Sequence, residues 1–167
     1  MKANHVIYIL LGLVLIAAGA DIAWYYPQLP DQIATHFNGR GQPDGSSGKV
    51  GFVVGQGFLL VFMPAFFVGI SCLIGRLPTS LINVPNRDYW LSPARKAVTL
   101  AILHRMMLLF ALVMTTFMAG LMHLILAANL GGQRPLGPGF GALVGGQLVS
   151  VVALLVWILT RFRRPSR

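Results

Sequence analysis

The stretch Leu29–Lys49, LPDQIATHFNGRGQPDGSSGK, decides the fold because it is a long polar interruption between two apolar runs. Working outward, four runs reach spanning length: Val6–Tyr26 and Val50–Gly75 on either side of it, then Met106–Leu130 and Leu136–Thr160. Each exceeds the roughly 20 residues that a helix needs to cross a hydrocarbon core of about 30 Å. The second and fourth carry no charged residue. Of the 167 residues, 56% are hydrophobic and only 10% charged, whereas soluble domains run at about 25% charged. The pattern predicts an all-α integral membrane four-helix bundle, a single membrane domain over residues 1–167 with spans at 6–26, 50–75, 101–129 and 138–160. Residues 27–49 form an ordered outer loop, and residues 76–97 an interfacial segment on the opposite side.

The net charge of +9, from 13 Lys and Arg against 4 acidic residues, is unevenly placed. Lys2, Arg76, Arg87, Arg95, Lys96, Arg105, Arg161, Arg163, Arg164 and Arg167 flank the spans on one side; Arg40, Lys49 and Arg134 fall on the other. Positive residues accumulate on cytoplasmic loops, so both termini are expected in the cytoplasm. The basic excess is then a topology signal and an attraction to the lipid bilayer's anionic headgroups. No aromatic or glycine-rich reader accompanies it, so no nucleic acid partner is expected. Lys2, the apolar stretch and Ala18-Gly19-Ala20 imitate a cleavable signal peptide. The run continues into Trp24-Tyr25-Tyr26, an interfacial aromatic cluster, so it reads as a retained span. The one cysteine, Cys72, lies within the second run, reads as packing, and excludes an intramolecular disulfide.

Within the outer loop, Pro27, Pro30 and Pro43 oppose helix. Ile33–Phe37 alternates weakly, as a short strand would, and Asn38-Gly39 and Asp44-Gly45 are turn dipeptides. Ser92 and Pro93 suit the cap and first position of the third long helix. Gly51/Gly55 and Gly137/Gly141/Gly145 let helix backbones approach closely, which predicts that the second and fourth spans pack through them, within the bundle or against a membrane-protein partner.

The loop carries Leu29-Pro30, Ile33-x-x-His36-Phe37-Asn38 and Gly41-x-x-Asp44-Gly45; after the second span stands Asn83-Val84-Pro85-Asn86-Arg87-Asp88-Tyr89-Trp90-Leu91. Over about residues 20–100 these two motifs resemble a bacterial membrane family of unknown function that includes the SdpI-type immunity proteins. The resemblance implies a protein of the bacterial inner membrane that protects the cell against a secreted peptide toxin and takes part in signalling. Ser46 stands where an aromatic residue commonly follows Asp-Gly, and SdpI-type proteins usually carry further spans.

The outer-loop residues Pro30, Asp31, His36, Asn38, Gly41, Asp44 and Gly45 are therefore the candidate contacts for a partner or ligand. Most also have a structural reading as turn and capping residues. His36, Asp44 and His123 are the alternative metal set, with Asp31 or Asp21 as a fourth ligand, although no His-Glu-x-x-His spacing supports it. Asp21 would meet interfacial water or pair with Lys49 or Arg40, because a lipid-exposed carboxylate is costly. On the other side, Asn83, Pro85, Asn86, Arg87, Asp88, Tyr89 and Trp90 form the second candidate motif. There Arg87 would pair locally with Asp88, and Tyr89 and Trp90 would anchor the headgroup layer. No nucleophile elbow, phosphate loop or nicotinamide fingerprint appears, so neither catalysis nor a cofactor is expected. The expectation is a non-catalytic membrane protein that binds a secreted peptide or serves as accessory subunit of a membrane complex. The alternative is a small transporter or metal-dependent membrane enzyme using the loop's His and Asp residues.

Overall fold

The computed structural model describes residues 2–163; Arg164 and Arg167, counted above in the charge asymmetry, lie outside them. Along the chain run α1 (Lys2–Tyr25), β1 (Gln32–Phe37), β2 (Pro43–Gly48), α2 (Lys49–Leu73), α3 (Arg87–Trp90), α4 (Lys96–Ala128) and α5 (Pro138–Arg161). Short 3-10 turns follow α1 and α2. α1, α2, α4 and α5 are each long and apolar enough to cross a membrane, the architecture of a multi-pass membrane protein. They run up, down, up and down, so the β1–β2 hairpin caps one end and α3 closes the other.

α4 is the hub: α1, α2 and α5 each pack chiefly against it. At 33 residues it is about 50 Å long, well over the roughly 30 Å of a hydrocarbon core. Three apolar clusters are strung along it. At the hairpin end, Leu29, Ile33, Phe52, Met122, Leu126 and Leu136 bury one another. In the middle, Ile7 and Leu11 of α1 meet Leu108 and Ala111 of α4. At the far end, Ile82, Val84, Trp90, Leu103, Met106 and Phe162 close the bundle. α5, by contrast, has no fully buried residue.

The all-α expectation holds for the bundle, and the ordered outer loop is a two-stranded antiparallel sheet. β1 is the strand expected at Ile33–Phe37. β2 is a correction: Asp44-Gly45 is not a turn but lies in a strand, paired so that Gly45 faces His36 and Ser47 faces Ile33. A side chain at 45 would stand 3.0 Å from His36 Cβ, so glycine lets the strands close there. The turn is at Asn38–Gln42, where Asn38 Oδ1 accepts from the backbone N–H of Arg40 and of Gln42, and Gly41 takes φ 73°.

The glycine faces of α2 and α5 do not pack together. A Cβ added at Gly51, Gly55, Gly137, Gly141 or Gly145 would meet nothing within 4 Å. The close helix approach is instead at Gly120, where an added Cβ would sit 2.9 Å from Leu143 Cδ1, so α4 rather than α2 receives α5. Ser92 does not cap α4 with its side chain: its Oγ donates to Tyr89 O, while its carbonyl accepts from Arg95 and Lys96 N–H and starts the turn.

Candidate functional site

The hairpin is fixed to the bundle by a residue that sequence reasoning passed over. Asn129 closes α4 and is fully buried. Its Oδ1 accepts from Ala34 N–H at 2.7 Å, and its Nδ2 donates to Ala34 O at 2.9 Å and Ile125 O at 2.8 Å. Ala34 is itself fully buried, so these bonds satisfy backbone groups that would otherwise be stranded away from water. Asn129 thus acts on the free edge of β1 as a neighbouring strand would. A second tie joins the turn to the α4–α5 connection, with Leu136 N–H donating to Gly41 O at 2.9 Å and Leu136 packing on Gly41. Sequence alone offered only a polar residue between Ala128 and Leu130 as a signal, which reads as an ordinary helix end.

The candidate residues of the loop divide into those the fold uses and those left outward. Lys49 Nζ donates to Leu29 O at 3.0 Å and stands 3.3 Å from Asp31 Oδ1, tying the hairpin's entry to its exit. Asn38 and Gly41 build the turn, Gly45 permits strand closure, and Pro30 is exposed where the chain enters the hairpin. His36 and Asp44 remain. His36 Nδ1 donates to Asp44 Oδ1 across the strands, with the two side chains 76% and 41% exposed. This pair stands on the open surface of the cap. Among the described residues the outer edge of β2 carries no further strand.

The proposed metal set is not assembled. His123 pairs with Asp21, its Nδ1 donating to the carboxylate oxygens at 3.0 and 3.1 Å, and Tyr25 lies edge-on at 5.7 Å between centroids. Asp21 therefore meets neither Lys49 nor Arg40, because α1 packs on α4 and faces its 123 position. Among the described residues no three His, Cys, Asp or Glu side chains gather where a metal ion would be held.

The motif at the other end is a fastening for α5. Asn86, in the left-handed region at φ 54°, donates through Nδ2 to Phe162 O at 2.9 Å, and Trp90 Nε1 donates to the same carbonyl at 3.0 Å. Trp90 and the fully buried Phe162 stack edge to face at 5.4 Å, and Thr99 Oγ1 donates to Trp90 O at 2.7 Å. Trp90 is therefore core rather than a headgroup anchor. Arg87 donates to Thr79 O at 2.9 Å rather than pairing with Asp88, while Arg95 lies 4.0 Å over the Tyr89 ring. Asn83, Pro85 and Asp88 are exposed around this knot.

Residues 12–68 match the model of a domain of unknown function, DUF1648. That segment covers most of α1, the whole hairpin and α2 as far as residue 68, so it contains the His36–Asp44 pair and the Asp31–Lys49 tie. No curated protein and no solved structure matches the chain. By fold and by family match, this is a multi-pass membrane protein whose first two spans and capping hairpin are similar to a domain of unknown function.

Proposed function

We propose that the protein is a non-catalytic receptor-like membrane component whose hairpin cap recognises a partner outside the cytoplasm. The observation that carries this reading is the division of labour within the loop motif. Asp31, Asn38, Gly41 and Gly45 serve the hairpin's own structure, whereas His36 and Asp44 present a pair on its open face. Beside them runs the unpaired edge of β2, whose residues from Asp44 to Gly48 are all exposed. An extended peptide adds to such an edge through main-chain hydrogen bonds, with neighbouring side chains supplying specificity. β1 is closed to this by Asn129, which leaves β2 as the docking strand.

The charge asymmetry supports a cap on the outer side of the membrane with both termini cytoplasmic, and the motif resemblance favours a bacterial inner membrane. The likeness of the two motifs to SdpI-type proteins favours a secreted peptide as partner and an immunity or signalling role. A second version, an accessory subunit of a membrane complex, is supported by the open faces at Gly51/Gly55 and Gly141/Gly145.

The test is quantitative recovery of partners after gentle solubilisation of tagged wild-type, His36→Ala and Gly141→Leu proteins. Cap recognition predicts a partner recovered with wild type and lost with His36→Ala; the accessory version predicts loss with Gly141→Leu. Equal recoveries from all three would contradict both.

A further inference from the structure

α5 is held to α4 at both ends, and between them Gln147 reaches across to Met114 beside an open groove. At the hairpin end Leu143 seats against Gly120; at the other, Phe162 is locked beneath Trp90. Between these points lie two adjoining hollows of about 420 and 410 Å³ that share Val113 and Ser150. The first reaches Thr116 and Gln147, the second Arg105 and Trp157. The polar groups along the walls are already engaged, Gln147 Nε2 with Met114 Sδ and Ser150 Oγ with Gly146 O, so the groove offers an apolar lining. Arg105 closes one end, and among the described residues its guanidinium has no hydrogen-bond or ion-pair partner.

Two lengths indicate what fits. From Arg105 to Thr116 the groove runs about 16 Å along α4, half the thickness of a hydrocarbon core. Counting back about 30 Å, or 20 residues, from the Asp21–His123 pair reaches Leu103, which puts Arg105 at the opposite headgroup layer. The same end of the bundle carries Arg76, Arg87, Arg95, Lys96 and Arg161 against Asp88 alone among the described residues. Such a field repels cationic headgroup ammonium groups and attracts anionic ones.

We propose that the α4–α5 groove is a binding site for one anionic phospholipid, its acyl chain lying along Val113 and Ser150 and its phosphate on Arg105. Arginine suits this role because its planar donors grip two phosphate oxygens together. The lipid fills a gap that no side chain of α5 closes, and it joins that helix to the hub.

Native mass spectrometry of delipidated protein titrated with phosphatidylglycerol or phosphatidylcholine tests the site. One phosphatidylglycerol should bind about tenfold more tightly than phosphatidylcholine, with Arg105→Gln abolishing that preference. Ser150→Phe, which fills the junction of the two hollows, should weaken both lipids, whereas Arg134→Gln, exposed at the hairpin end, should leave both unchanged. Thermal melts confirm that each variant is folded. Equal weakening by Arg105→Gln and Arg134→Gln, or wild-type binding by Ser150→Phe, would overturn the proposal.

Discussion

Replacing Asn129 with alanine isolates the clamp that holds the hairpin on the bundle. The side chain makes three hydrogen bonds, two of them to Ala34, whose N–H and C=O are buried with it. Removing it strands both backbone groups, and each buried unsatisfied group costs about 1–3 kcal/mol, so the docked cap should lose about 2–6 kcal/mol. Total stabilities of about 5–15 kcal/mol make this a large fraction, enough for the hairpin to open well before the helices separate. Hydrogen exchange reads the effect directly, because Ala34 N–H is the group released. At 1.4 kcal/mol per tenfold, its protection should fall by at least about 30-fold, with smaller losses in the middle of α4. Gln133→Ala, exposed on the same connection, is the matched control. Protection of Ala34 within threefold of wild type would refute the claim that Asn129 carries the cap.

Three further outcomes follow from the same geometry. Trp90→Phe should cost about 1 kcal/mol, because Asn86 still holds Phe162 O, whereas adding Asn86→Gly should cost more than the sum of the two changes; thermal melts in detergent measure the cycle. Gly120→Phe should destabilise the α4–α5 contact by about 1–3 kcal/mol through overpacking against Leu143, while Gly141→Leu, facing open space, should leave the melt of the isolated protein unchanged. His36→Gln should move stability by less than about 1 kcal/mol, since exposed ion pairs contribute little, so any loss of function in it reports on recognition rather than folding; melts paired with partner recovery separate the two.

The four spans were legible because a bilayer demands long apolar runs, and the runs near Val6, Val50, Met106 and Leu136 each lie in a helix long and apolar enough to cross one. β1 and the Asn38 turn were legible from alternation and from the Asn-Gly dipeptide. β2 was not, because Pro-Asp-Gly-Ser-Ser-Gly lacks every strand-favouring residue; its place is set by the tight turn before it and by α2 immediately after. The partners of Asp21 and Trp90 were illegible for another reason. His123 lies 102 residues from Asp21, and Phe162 lies 72 from Trp90, distances that only the packing of α1 and α5 on α4 resolves. Sequence therefore located the candidate residues, while the fold decided which of them serve architecture and which face outward.

The central claim is that the hairpin's open face at His36, Asp44 and the β2 edge meets a partner. A photo-crosslinking amino acid placed at Ser46, exposed on β2, tests it in living cells. A discrete adduct that disappears in the His36→Ala background is the predicted result. No adduct at Ser46, or one that His36→Ala leaves intact, would contradict the account.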